Sequence, residues 1–211
     1  MSSSLAIILT VLSGYLLGSL SFAIIVTRIL KNKDIRSMGS GNAGMTNALR
    51  SAGLVPGILT GIGDFAKGAA AIFLARYLFS LAGLDIQIGS YVAAVFVLVG
   101  HLFPLYFGFR GGKGIMTTAG ILLVLDPALL GILLIVFSIM FLISRIISLS
   151  SLVTAAFLPI VSLILNCARS TEAVFSTIFA LAACAMAFLM HRANIVRLKA
   201  GTEKKFSINK Q

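Results

Sequence analysis

Seven apolar runs, at about 4–30, 52–83, 88–109, 115–125, 128–143, 151–167 and 173–190, set what this chain can fold into. Lipid offers no partner to a backbone N–H or C=O, so an apolar run inside a bilayer must close its hydrogen bonds within a helix or a closed barrel. Runs of this length suit helices, which need about 20 residues to cross. The runs at 115–125 and 128–143 are short, and Asp126-Pro127 divides them, because the residue before a proline resists helix. Composition agrees: 11% of residues are charged, against roughly 25% in a soluble domain, and mean hydropathy is +1.07. At 211 residues the expectation is one multi-span membrane domain, 1–211, all α-helical, with seven transmembrane helices of which two are short.

Charge then orients the bundle. Net charge is +11, which in a soluble protein would suggest nucleic acid. Here the basic residues sit between apolar runs, so topology and anionic lipid explain them and no nucleic acid partner is expected. With the N-terminus outside and the C-terminus cytoplasmic, every basic residue except Lys67, Arg76 and Arg169 falls on the cytoplasmic side, Lys210 of the tail included. Counting 115–143 as a single crossing would put the basic tail outside. Two short crossings or a re-entrant hairpin both keep it inside. The opening Met1-Ser-Ser-Ser-Leu5 lacks the basic start of a cleaved signal, so the first run is expected to be a retained span. The polar, glycine-rich stretches at 31–50, 110–114, 144–151 and 191–205 then share the cytoplasmic face, where they can meet at one site.

Gly111-Gly112-Lys113-Gly114 is the most chemically pointed of them. Glycines allow a tight turn whose N–H groups gather at one spot, a following helix start adds partial positive charge, and lysine adds a full one. That suits phosphate better than the plainer reading, a tight turn with a snorkelling lysine. A Walker A loop is excluded, since Phe107 stands where its first glycine belongs and Ile115 where its Ser or Thr belongs. The second stretch, Met38 to Arg50, holds Ser40, Gly41, Asn42, Thr46 and Asn47, small residues expected to leave many N–H donors exposed; Arg50 offers a two-pronged grip on phosphate. Its plainer reading is a flexible loop. The third carries His191 and Asn194, three apart and so on one helical face, with Arg197, Gly201 and Glu203 beyond. A basic helix end facing lipid explains its cations but not Asn194 or Glu203.

Ser148, Ser150 and Ser151 begin a span as caps or ligands. Asp64 and Lys67 are spaced as an ion pair, either deep in a span or at its edge if 53–63 is irregular. A lone histidine such as His101 is more often structural. Cys167 and Cys184 are expected to be buried and inert. No zinc ligand set and no Gly-x-Ser-x-Gly elbow occurs, so neither metal nor cofactor is expected. The His-x-x-x-x-Asp pair of common acyltransferases is missing, as are the spaced aspartates of CDP-alcohol phosphotransferases. An anion transporter or a lipid-binding protein remains as an alternative, disfavoured because the polar residues gather on one face.

Ser-Gly-Asn-x-Gly-x-Thr-Asn at 40–47 with Arg50, Gly-His-x-Phe-Pro at 100–104 with Gly-Gly-Lys-Gly at 111–114, and His-x-x-Asn-Ile at 191–195 with Gly-Thr-Glu at 201–203 closely resemble, in order, the bacterial acyl-phosphate:glycerol-3-phosphate acyltransferase family, PlsY. The resemblance implies transfer of a fatty acyl group from acyl phosphate to the 1-hydroxyl of glycerol 3-phosphate, giving lysophosphatidic acid and phosphate at the cytoplasmic face of the bacterial inner membrane. Membrane lipid would be the surroundings and a monomer would suffice. By motif position, Ser40, Arg50, Lys113, His191 and Asn194 would be catalytic. Gly41, Asn42, Thr46, Asn47, Gly111, Gly112, Gly114, Ser148, Ser151 and Glu203 would line or organise the substrate site. The chain departs from the family's usual Pro at Ala43, its usual Ala at Met45 and a usual Pro near Ser21, which alters stiffness rather than donors.

Overall fold

The computed structural model describes residues 1–169 and 174–206, and every regular element among them is helical. Lys210 lies outside the described residues. In order the helices are α1 (Ser3–Ser19), α2 (Phe22–Lys31), α3 (Met45–Ser51), α4 (Leu54–Leu81), α5 (Ile86–Leu102), α6 (Ile115–Leu125), α7 (Pro127–Ser144), α8 (Ile147–Arg169), α9 (Val174–Met190) and α10 (Arg192–Lys199), with 3₁₀ turns at Ile35–Ser37 and Leu105–Phe107.

Five helical stretches are long and apolar enough to cross a membrane: Ser3–Lys31, Leu54–Leu81, Ile86–Phe107, Pro127–Ser144 and Ile147–Arg169. A sixth results if α9 and α10, bent by 62°, form one span. Of the two runs expected to be short, only α6 is. Its 11 residues rise about 16 Å, roughly half of a ~30 Å hydrocarbon core. α7 reaches 18 residues, because Asp126 caps it by accepting from the Leu129 N–H at 3.1 Å and Pro127 sits at its first position, where no N–H is needed. Leu134, Ile135, Ile139, Leu142 and Ile143 of α7 and Ile160, Leu163 and Ile164 of α8 are exposed. Apolar surface this continuous belongs against lipid, and the chain is a multi-pass integral membrane protein.

The helices form two compact units, 1–125 and 126–211. In the first, α4 packs against α1, α2, α3, α5 and α6, and α1 runs along α5. Small residues permit this. A methyl at Gly18 would overlap the Val97 backbone, one at Gly100 would meet the Tyr15 carbonyl, and one at Gly120 would meet the Phe65 carbonyl. Helices in lipid associate through such close backbone approach. The chain breaks between α1 and α2 without a proline. Its freed carbonyls find another donor: Lys67 Nζ on α4 reaches Gly18 O at 2.9 Å and Leu20 O at 2.6 Å.

In the second unit α8 packs against α7 and α9, and α10 continues from α9 after a 62° bend. Arg169 at the end of α8 pairs with Asp126 at 2.7 Å. Burial of both cysteines is not what the fold provides: Cys167 is exposed and Cys184 half-buried, since the helix faces carrying them are not core faces.

Candidate active site

The first unit brings two of the motif stretches together. α5 ends at Leu102, the chain turns through Pro104 and a 3₁₀ turn, and the glycine turn folds back on the end of α5. Gly111 N–H donates to Leu102 O and Gly112 N–H to His101 O, both at 3.1 Å. A methyl on Gly112 would collide with the His101 imidazole and the Ala43 carbonyl. Only glycine lets the 40–50 loop, the turn and His101 meet at that distance. Gly114 has φ +83°, a left-handed conformation that glycine adopts without strain, and α6 starts directly after it.

This corrects one expectation about the turn. Two of its amides are occupied inside the turn and cannot gather on an anion. The first turn of α6, whose N–H groups have no partner within the helix, follows it directly, and the Lys113 side chain is half-buried beside them.

The 40–50 loop is corrected in the same way. Asn47 is buried and acts as its hub. Its Nδ2 donates to Ile35 O, Met38 O and Asn42 O at 3.0–3.2 Å, while its Oδ1 accepts from Ser40 N–H at 3.0 Å and Ser51 Oγ at 3.2 Å. Gly41 N–H donates to Met38 O, and Gly44 N–H to Asn42 O. Asn47 therefore organises the loop and has no donor left for a substrate. The loop is held rigid by its own amides rather than offering them. What it exposes is the Ser40 side chain, with Arg50 at the exposed end of α3 and the half-buried Asn42 and Thr46 between them.

Behind the turn lies a charge cluster. α4 is helical from Leu54, so the reading of 53–63 as irregular does not hold, and Asp64 and Lys67 are buried on it. Lys67 Nζ sits 2.9 Å from Asp64 Oδ1 with its protons directed to the Gly18 and Leu20 carbonyls. His101 Nδ1 is 3.5 Å from Asp64 Oδ1, a longer approach than that of Lys67, and the three side chains are buried together. His101 is buried and packs against Gly112, a structural position. Its signal in the sequence was the fixed distance from Gly112, which only the turn makes a contact.

In the second unit Glu203 gathers the tail motif. Its Oε1 accepts from Ser148 Oγ and Asn194 Nδ2, and its Oε2 from Arg197 Nε, each at 2.6 Å. Burial alone would raise its pKa. The hydrogen bonds from Ser148, Asn194 and Arg197 and the Arg197 charge outweigh that and hold it below the ordinary glutamate value of 4.5. The Ser148 hydroxyl proton is thus committed to Glu203, and Ser151 is buried one turn further along α8. His191 caps α10 at the bend after α9, is buried, and its Nδ1 lies 2.8 Å from Ala187 O. A carbonyl only accepts, so Nδ1 carries a proton, and in the neutral ring Nε2 carries the lone pair.

Glu203→Gln is expected to weaken the Arg197 contact and lower the thermal midpoint, with the loss largest near neutral pH. Folding depresses this carboxyl's pKa, so its stabilisation is complete above 4.5 and fades as pH falls through the folded value. Thermal unfolding from pH 7 to pH 3.5 should show wild type and variant drawing together at the acid end.

The chain matches the family model described as glycerol-3-phosphate acyltransferase over residues 8–201. It is 43% identical over 199 residues to a glycerol-3-phosphate acyltransferase of Thiobacillus denitrificans, covering 93% of this chain and 95% of that protein. It is 38% identical over 199 residues to one of Clostridioides difficile, with 94% of each covered. Two crystal structures of PlsY (YgiH), an integral membrane glycerol 3-phosphate acyltransferase, share the fold. The glycerol 3-phosphate form has a TM-score of 0.82 at 31% identity, over 95% of this chain and 96% of that one. The lysophosphatidic acid form has a TM-score of 0.79 at 30% identity, over 96% of each.

Proposed function

The chain belongs to the glycerol-3-phosphate acyltransferase (PlsY) family and acylates glycerol 3-phosphate, and from that premise we propose that the acyl donor is acyl phosphate and that transfer is direct. The 1-hydroxyl oxygen attacks the acyl carbon, the bond from that carbon to the phosphate oxygen breaks, and inorganic phosphate leaves with the electron pair. The hydroxyl proton passes to a phosphate oxygen or to His191. The donor is already activated, so no enzyme nucleophile is needed.

The protein's part is charge and position. Ser40, Arg50, Lys113 and the first-turn amides of α6 hold phosphate, neutralise the repulsion between two phosphorylated substrates and stabilise charge on the carbonyl oxygen and leaving group. Alignment of this kind contributes about 7–11 kcal/mol to lowering a barrier. His191 and Asn194 serve the same reaction, with Asn194 oriented by Glu203. Gly41, Asn42 and Thr46 shape the loop that presents Ser40, and Ser148 and Ser151 lie on the acyl-phosphate side. The observation that carries this reading is the contact of Gly112 with Ala43 and His101, which joins an anion-suited turn to the Ser40–Arg50 loop.

We further assign the protein to the bacterial inner membrane as a monomer with seven crossings, α6 being a short one, and the reacting groups facing the cytoplasm. The positive-inside distribution supports this orientation.

Purified protein in detergent is expected to convert acyl phosphate and glycerol 3-phosphate to lysophosphatidic acid and inorganic phosphate in equal amounts without a gradient. Product from acyl-CoA, with none from acyl phosphate, would overturn the donor assignment.

A further inference from the structure

Outside the residues assigned to catalysis, the first unit carries a cavity of about 460 Å³ lined by Arg28, Arg36, Tyr106, Phe107, Gly108 and Arg110. Two of its arginines are held in place. Arg36 donates to Asp34 through Nε and Nη2, at 3.1 and 2.9 Å, and to Phe107 O through Nη1 at 2.6 Å. Arg28 donates to Asp34 at 2.7 Å and lies 5.8 Å from the centre of the Phe107 ring. Asp34, hydrogen-bonded by Arg36 and Arg28, stays ionised far below the ordinary carboxylate range. Arg110 is exposed and makes no ion pair among the described residues.

Three guanidiniums against one carboxylate leave two positive charges facing the cavity. An arginine fork is shaped for phosphate oxygens; Asp34 and Phe107 O engage all three nitrogens of Arg36, so the donors offered to a ligand come from Arg28, positioned by Asp34, and from Arg110. The cavity's wall is partly apolar: Tyr106 and Phe107 line it, Tyr106 is exposed, and so are Ile29, Leu30 and Phe109, the chain neighbours of Arg28 and Arg110. Free anions gain nothing from such a wall, whereas a lipid gains contacts for its glycerol and upper chains.

We infer that this cavity binds the phosphomonoester headgroup of a membrane lipid, at a site separate from the transfer chemistry. A phosphomonoester carries about −1.5 to −2 charge near neutral pH, which matches the cavity's surplus, whereas a phosphodiester carries one.

The test uses purified protein in detergent with glycerol 3-phosphate saturating, so that the reaction site is occupied, and follows bound lipid by native mass spectrometry. Short-chain phosphatidic acid is expected to bind wild type at least tenfold more tightly than phosphatidylglycerol, and inorganic phosphate is expected not to displace it at equal concentration. The double variant R28Q/R110Q should lose that binding about tenfold or more while its turnover with acyl phosphate and its thermal midpoint stay near wild type. Lys199→Gln, outside the cavity, should bind as wild type does. Unchanged binding in R28Q/R110Q, or an equal loss in Lys199→Gln, overturns the proposal in favour of diffuse charge attraction. Displacement by equimolar inorganic phosphate overturns the lipid as its occupant.

Discussion

Lys113→Ala is expected to lower kcat/KM for glycerol 3-phosphate by about 10²–10³-fold, the loss seen when one preorganised donor to developing charge is removed, or about 2.7–4 kcal/mol. The side chain is half-buried and the turn's backbone is held by Leu102 and His101 carbonyls. Truncation therefore leaves the turn's two backbone hydrogen bonds in place, and any stability lost with the side chain's own contacts is read separately. Steady-state kinetics beside thermal unfolding separate the two effects. Lys113→Arg should recover part of the activity, because it restores charge without the compact ammonium. Wild-type kinetics in Lys113→Ala would make the residue a snorkelling lysine and remove the phosphate-holding role of the turn.

Lys67→Met should instead unfold the first unit more easily. Asp64 and Lys67 are both buried, and removing one partner of a buried pair leaves the other as an uncompensated charge, at a cost of about 3–5 kcal/mol. The same change takes the donor from Gly18 O and Leu20 O, where α1 gives way to α2. For a chain of this length the midpoint should fall by about 6–20 °C. The double variant D64N/K67M should recover part of that loss, since it leaves no unpaired charge. A fall in D64N/K67M as large as the sum of the single variants would mean the pair is not coupled.

The sequence made the membrane helices, the break at Asp126-Pro127 and the three motif stretches legible, because hydropathy and glycine placement act locally. It could not reveal how the polar groups are used. Asn47 has the chemistry of a ligand and of a loop filler, and only the folded loop shows that Ile35, Met38 and Asn42 take its donors. The turn's glycines were visible, but not that two of their amides would be occupied. The lock on the α1–α2 break was hidden because Lys67 acts across 47 and 49 residues. Glu203 offered a carboxylate with no marked partner, and its three donors arrive from α8 and α10 at separations of 55, 9 and 6 residues. Arg28, Arg36 and Arg110 looked like ordinary topology signals until Asp34 and Phe107 were seen to hold two of them.

The central claim is that acyl transfer is direct, driven by charge and position without an enzyme nucleophile. It is tested by mixing purified protein with acyl phosphate in the absence of glycerol 3-phosphate, quenching within one turnover time, and measuring intact mass and released phosphate. The predicted result is unmodified protein and no phosphate burst, with both phosphate and lysophosphatidic acid appearing once glycerol 3-phosphate is added. A stoichiometric phosphate burst with one acyl group attached to the chain would contradict it.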